Sequence, residues 1–266
     1  MRLLQPRRSS ALGAGAFPIN RAAKTDGKDS NLCYRALVPE PELRRVGRSQ
    51  SPLVIIDNFT GAVDEVAALA DELAPFPSIR DNYYPGVRRL IGKADEKASA
   101  YVLDACSRIA PFIGSAFEVP SFDLEQASFS IVTARPDELQ PIQRAPHFDG
   151  PEPNLFALLH YLRVPQGSGT AFYRHRATGI ERVTAANIAL FERARRAELA
   201  ELSPDSGYIA GSTSFYEQID IVEAVPDRMI AYHGSLLHSG IIPSTMPFTS
   251  DPRQGRLTAN FFLLGR

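Results

Sequence analysis

The stretch Pro146-His147-Phe148-Asp149-Gly150 is answered far down the chain by Gly234-Ser235-Leu236-Leu237-His238-Ser239-Gly240, and then by Gly255-Arg256-Leu257-Thr258. In extended chain, residues i and i+2 point the same way, so His147 and Asp149 can offer a ring nitrogen and a carboxylate to one ion. His238 completes a set of two imidazoles and one carboxylate, which holds a divalent metal on one side and leaves its other positions open. Arg256 adds a cation that stays charged when desolvated and grips a carboxylate through two parallel bonds. With a strand over Arg256 to Leu264, the same two-residue period sets the Thr258 hydroxyl on the face of the guanidinium. Two substitutes stand nearby: His233, a few residues before His238, and Arg253, in the loop before Arg256.

Around these motifs the chain reads as strands. Leu53 to Phe59, Ala127 to Thr133, Asn154 to Val164, Thr170 to Arg176, Phe215 to Val225, Arg228 to His233 and Arg256 to Leu264 are rich in branched and aromatic residues. Strands in this number after a helical beginning suggest an α+β fold with N-terminal helices packed on the sheet, the antiparallel strands closing a sandwich or barrel; the order of the motifs matches a double-stranded β-helix (jelly-roll or cupin-like) core. Such a core places His147, Asp149, His238 and Arg256 in one open mouth.

The first helix is marked by Val63, Val66, Ala70 and Leu73 and stopped by Pro75, and the second by Val102, Cys106, Ile109 and Ile113, with a break expected near Pro111. Thr184 to Leu202 reads as a further helix with Thr184 as N-cap, a helical insertion over about 184–203 between strands. Tyr83, Tyr84, Arg88 and Arg89 occupy a segment containing Pro85 and Gly86 that reads as a lid. Tyr161, Tyr173 and Arg163, on strands after the H-x-D element, are the substrate-contact candidates. His160 and His175, also on strands, are expected to be satisfied or exposed rather than metal ligands, with lining of the pocket as their alternative role.

Composition bounds the function. The chain has 266 residues, 44% of them hydrophobic, enough for one elaborated domain over residues 31–266. A formal charge of −1 supplies no basic field for nucleic acid. No apolar run approaches the ~18 residues of a membrane span. Two distant cysteines, Cys33 and Cys106, form no zinc or redox motif and suit a reducing cytoplasm. Residues 1–30 carry six basic side chains against two acidic ones and read as a flexible basic arm.

The ordered set of H-x-D, distal histidine and arginine resembles the Fe(II)/2-oxoglutarate-dependent dioxygenase superfamily. Tyr232 to Gly240, YHGSLLHSG, is similar to the distal-histidine strand of its phytanoyl-CoA-type and prolyl-hydroxylase-like members, and Val54-Ile55-Ile56-Asp57-Asn58-Phe59 before a helix is similar to another of its phrases. The resemblance spans Leu53 to Leu264. It departs in the long gap between Asp149 and His238, which the inserted helix fills, and in the late position of Arg256, which follows a loop punctuated by Pro243, Pro247 and Pro252.

The resemblance implies Fe(II) on His147, Asp149 and His238, and 2-oxoglutarate chelating the metal with its far carboxylate on Arg256 and Thr258. O2 would take the last position. It implies oxidative decarboxylation of 2-oxoglutarate to succinate and CO2, coupled to oxidation of a substrate C–H bond. A carboxylate at Asp149 favours hydroxylation, desaturation or oxidative cyclisation over halogenation. The expected substrate is a small molecule, such as an amino-acid-like compound of specialised metabolism, and the expected assembly a monomer or homodimer. The alternatives are a cupin-like metal protein that has no use for 2-oxoglutarate or Arg256, and a non-catalytic binding module on the same fold.

Overall fold

The computed structural model describes residues 17–18, 40–77, 83–203 and 206–266. Apart from Phe17–Pro18, the arm expected over residues 1–30 lies outside them, as does Cys33. The elements run β1 (Phe17–Pro18), β2 (Glu42–Val46), β3 (Ser51–Ile56), α1 (Val63–Glu72), β4 (Gly86–Leu90), α2 (Glu96–Phe117), β5 (Ser121–Val132), β6 (Leu155–Arg163), β7 (Gly169–His175), α3 (Ile188–Glu201), β8 (Tyr216–Glu223), β9 (Met229–His233), β10 (His238–Ile241) and β11 (Leu257–Gly265).

Two antiparallel sheets carry the fold, as expected for the α+β jelly roll. The larger has the order β1-β5-β11-β6-β9-β3-β2, with β4 also on β5, and the smaller the order β10-β7-β8. The interior of the larger sheet is buried on both faces, which is why β3 reads as an unbroken apolar run. Val54 and Ile56 face a cluster with Val66, Val102, Cys106, Ile109 and Ile113 of α1 and α2. Leu53 and Ile55 face the opposite way, into the space between the sheets, where they meet Tyr161, Phe172, Val222, Ile230, Tyr232 and Leu236. A third cluster, with Tyr173, Val183, Phe191, Tyr216 and Leu237, lies beneath α3 on the outer side of the smaller sheet.

Several expectations are corrected. Helix α2 runs unbroken through Pro111. The bond that proline cannot donate would go to the carbonyl of Ser107, and both residues lie on the exposed side, where water can satisfy that carbonyl. Thr184 does not cap α3, which begins after Asn187; the Asn187 side chain instead accepts from the Thr184 N–H and donates to the Arg182 carbonyl. Most of the segment read as a lid is strand β4, paired with β5 from Gly86↔Val132 to Leu90↔Ser128. Strands β2 and β4 escaped the sequence reading because two adjacent arginines, Arg44-Arg45 and Arg88-Arg89, break the apolar alternation. Charge is tolerated at such places because both strands lie at sheet edges.

The stretch Tyr232 to Gly240 is two strands in two sheets. Tyr232 and His233 end β9 in the larger sheet, the chain reverses at Gly234-Ser235, and His238 opens β10 in the smaller one. Gly234 permits that reversal: a Cβ there would stand 3.2 Å from Leu155 and 3.3 Å from the Asp149 Cβ.

Candidate metal centre

Three backbone attachments bring the motifs together. His147 and His238 exchange both main-chain hydrogen bonds at 2.9 Å, so the H-x-D element lies along β10. The Asp149 N–H donates to the Gly234 carbonyl at 2.7 Å, and the Gly234 N–H to that of Leu155 at 2.8 Å. Phe148, between the two candidate ligands, points the other way and meets Phe191 of α3 edge-on with centroids 6.0 Å apart. The inserted helix thereby braces the element that presents His147 and Asp149. It is held in turn by buried His175, whose Nε2 lies 2.8 Å from the Glu198 carboxylate and whose Nδ1 lies 2.7 Å from the Thr178 hydroxyl.

His147, Asp149 and His238 each offer one donor atom, and these atoms lie within 4.8 Å of one another. His147 Nε2 stands 3.9 Å from Asp149 Oδ1, and His238 Nε2 stands 3.7 Å from Asp149 Oδ2. His238 Nδ1 lies 2.8 Å from the Leu236 carbonyl. A carbonyl can only accept, so the proton sits on Nδ1 and Nε2 is left as a lone-pair donor, the arrangement by which ligating histidines are oriented. Tyr232 holds the ring from the other sheet, with centroids 4.8 Å apart.

The electrostatics are those of a site built for a cation. Asp149 Oδ2 is buried and accepts no hydrogen bond. Burial pushes the Asp149 carboxyl above the usual carboxylate range, against the pull of His238 and Arg88. Partial burial, with the charges of His238, Arg195 and Arg88, lowers His147 from the ordinary imidazole value, although its side chain remains 41% exposed. A neutral imidazole and a carboxylate lacking a partner are the state in which such groups coordinate a metal. The donor set and the orphaned oxygen together fit a divalent ion with open positions.

Arg256 precedes β11 and is buried, 4% exposed. Its Nε lies 3.3 Å from Ser168 Oγ, one terminal nitrogen 3.4 Å from the Gly169 carbonyl, and its guanidinium carbon 5.8 Å from the Tyr161 ring centroid. Among the described residues no carboxylate lies within 4.0 Å of it. Arg253, by contrast, has a side chain 64% exposed beside Asp71 and Asp251. Thr258 is buried, and the Tyr84 hydroxyl faces it.

Other candidates fall elsewhere. Arg163 is bound through both terminal nitrogens to Asp71, at 2.8 and 3.0 Å, and also donates to the Pro252 carbonyl. Tyr173 is on the face of β7 opposite Phe172, in the cluster under α3, and not with His238. The Tyr161 hydroxyl is 2.7 Å from Thr170 Oγ1. His233 sits between Phe117 and Phe156, where burial lowers it to about 4. His160 bonds Tyr101 and Asp227 on the helical side of the sheet. Tyr84 and Arg88, read from the sequence as part of a lid, border the site, as does Tyr232, to which the sequence assigns no role there. For Arg88 the available signal was the two-residue alternation inside a short charged strand.

A model of DUF6445, a family of unknown function, matches residues 38–263. The chain belongs to this family. Among curated proteins, none is similar enough to count as a relative of this DUF6445 member. Solved structures resemble it at low identity. The non-heme alpha ketoglutarate dependent carbocyclase SnoK from nogalamycin biosynthesis is 12% identical over 80% of each chain, with a TM-score of 0.50. The epimerase SnoN, in complex with Fe3+, alpha ketoglutarate and nogalamycin RO, is 15% identical over 83% of this chain and 80% of its own, with a TM-score of 0.49. HygX from Streptomyces hygroscopicus, with nickel and 2-oxoglutarate bound, is 16% identical over 80% and 82%, with a TM-score of 0.47. The DUF6445 chain thus has the double-stranded β-helix fold of the 2-oxoglutarate-dependent non-heme iron oxygenases.

Proposed function

We propose that this protein uses Fe(II), 2-oxoglutarate and O2 to oxidise an unactivated C–H bond of a small molecule, by hydroxylation, desaturation or oxidative cyclisation. The observation that carries the reading is the convergence of His147, Asp149 and His238 donors around a buried carboxylate oxygen that bonds to nothing. In this reading the three side chains hold the metal on one side. Bound Fe(II) with 2-oxoglutarate supplies an oxidant strong enough for an unactivated C–H bond, at the expense of decarboxylation to succinate and CO2.

The chain's own residues supply seat and orientation. The Leu236 carbonyl keeps His238 in the tautomer with Nε2 free, and Tyr232 and the β10 pairing fix where that nitrogen points. Arg256 takes the far carboxylate of 2-oxoglutarate, with Thr258 beside it. Ser168 Oγ, the Gly169 carbonyl and the Tyr161 ring hold the guanidinium in place but, among the described residues, leave it without a counter-charge. A buried cation of this kind has its pairing capacity in reserve for a ligand.

The test is an anaerobic titration of apoprotein with Fe(II) and then 2-oxoglutarate, following the weak visible metal-to-ligand charge-transfer band. The band is expected in the wild type and absent in His147→Ala. In Arg256→Gln, loss of a charge-assisted bidentate contact worth roughly 1.5–3 kcal/mol weakens 2-oxoglutarate by about 10- to 100-fold. Iron bound without a band would assign the metal to another reaction, and failure to bind iron would overturn the reading.

A further inference from the structure

Strand β4 adds one more inward-facing residue to the larger sheet. Residues directly paired across antiparallel strands point to the same face. Arg88 of β4 pairs with Ser130 of β5, Ser130 with Thr258 of β11, and Thr258 with Tyr161 of β6. Tyr161 belongs to the cluster between the two sheets, and its hydroxyl bonds Thr170 of the smaller sheet. The whole row, Arg88 included, therefore faces the mouth that holds His147, Asp149 and His238. Arg89, next in sequence, faces the other way and is satisfied by Asp95 at 2.7 Å.

Arg88 has no ion pair among the described residues. Its Nε is buried without a hydrogen-bond partner, and among the described residues no carboxylate lies within 4.0 Å of its guanidinium. The guanidinium carbon lies 5.1 Å from the centroid of the Tyr84 ring, which steadies the side chain without neutralising it. Its field reaches His147 and Asp149. Ser128, two residues before Ser130 on the same face, also has a buried hydroxyl with no partner. Ser130 Oγ accepts from Asn260 Nδ2 at 2.8 Å. The inner face at this edge is thus a polar strip with unspent hydrogen-bonding capacity.

Charge balance says what it awaits. Under the proposed function, a divalent metal, the Asp149 carboxylate, dianionic 2-oxoglutarate and Arg256 sum to zero. Arg195, the other cation whose field reaches His147, is paired with Glu192 at 2.6 Å. Among the described residues, half-buried Arg88 leaves one positive charge over in the mouth, and a partly desolvated cation without a counter-charge favours an anionic ligand. We propose that Arg88, with the Ser128 and Ser130 hydroxyls beside it, binds a carboxylate of the primary substrate, making this an oxygenase of small monocarboxylic acids. The planar fork of a guanidinium matches a carboxylate in two parallel bonds. This inference rests on the oxygenase reading and adds the substrate class to it.

The test uses the Fe(II)-loaded full chain, 2-oxoglutarate, and a panel of small alkyl, aryl and amino-acid-derived monocarboxylic acids, each paired with its primary amide and, where one exists, its phosphate ester analogue. Succinate formation above the uncoupled background is the readout. Stimulation is expected from acids and not from their amides. Arg88→Gln should lower the apparent affinity of the best acid at least tenfold while 2-oxoglutarate affinity, read from the charge-transfer band, stays within about twofold; Arg88→Lys should recover part of the loss. Amides or phosphate esters stimulating as well as acids, no acid stimulating at all, or acids unaffected by Arg88→Gln would each overturn the assignment. A loss of 2-oxoglutarate affinity in Arg88→Gln equal to that in Arg256→Gln would give Arg88 to the co-substrate instead. A wild-type protein that develops no band with 2-oxoglutarate would fail the oxygenase reading itself, separately from any of these.

Discussion

Replacing Arg256 by methionine is expected to make the apoprotein more stable, not less. The guanidinium is buried, and its net cost is the desolvation of a charge, several kcal/mol after relaxation. Against this stand two long hydrogen bonds to neutral acceptors, at 3.3 and 3.4 Å, and a ring contact at 5.8 Å near the outer limit of a cation–π interaction. Even at about 1 kcal/mol for each bond and about 0.5 for the ring, these fall short of the penalty. Methionine fills nearly the same volume without the charge. We expect Arg256→Met to gain about 1 kcal/mol, where removal of a well-made buried bond costs ~1–3 kcal/mol. With metal and 2-oxoglutarate the order reverses. At a hundred times its Kd the co-substrate stabilises the wild type by about 2.7 kcal/mol, whereas a variant binding it tenfold more weakly gains only about 1.4. The assay is urea unfolding followed by far-UV circular dichroism, since the chain has no tryptophan. A loss above about 1 kcal/mol in the apo variant at unchanged m, or equal co-substrate stabilisation of the two proteins, would show that Arg256 is a structural residue.

Three further outcomes follow from the buried network and the core. Burial alone would raise the Asp227 carboxyl, but bonds from His160, Thr60 and Gly61 hold it down at about 2. Its folded value lies below the unfolded one near 3.9, so its contribution, about 2 kcal/mol, is complete above that pH and lost as pH falls towards 2. Unfolding free energies measured across this window should decline less steeply in Asp227→Asn, and parallel profiles would refute the assignment. Tyr101→Phe removes the hydroxyl 2.7 Å from His160 Nδ1 and strands a buried acceptor, so a loss of about 2 kcal/mol is expected in the same urea assay; a change below ~0.3 kcal/mol would mean the bond contributes nothing. Burial pushes the Cys106 thiol up to about 12, so iodoacetamide at pH 8 should leave the Cys106 peptide unlabelled in native protein and label it in urea, and rapid native labelling would contradict the packing.

Much of the candidate site is legible locally because the period of extended chain is local. His147 and Asp149 share a side by the i, i+2 rule, and Arg256 and Thr258 were expected to do so by the same rule. What fails is everything that depends on which sheet a strand joins. Tyr173 and Arg163 are ordinary strand residues in sequence, but β7 buries Tyr173 under α3, and Asp71 at the end of α1 neutralises Arg163. Arg88 and Arg89 are indistinguishable as neighbours. Pairing with β5 turns Arg88 into the mouth and leaves Arg89 with Asp95. Pro111 misled in the opposite sense, since its cost depends on whether Ser107 faces water.

By itself the sequence determined the class of fold and the kinds of group at its mouth, because strand and helix periods and the donor chemistry of histidine, aspartate and arginine are properties of short segments. The preference for His238 over His233 and for Arg256 over Arg253 could be formed from sequence, but only the tertiary structure puts His238 near Asp149 and shows Arg256 buried where Arg253 is exposed. Both choices turn on chain reversals, at Gly234-Ser235 and in the loop before β11, that carry residues a few positions apart to different sheets or different depths. Burial and long-range proximity are set by the packing of whole layers, and no window of sequence contains them.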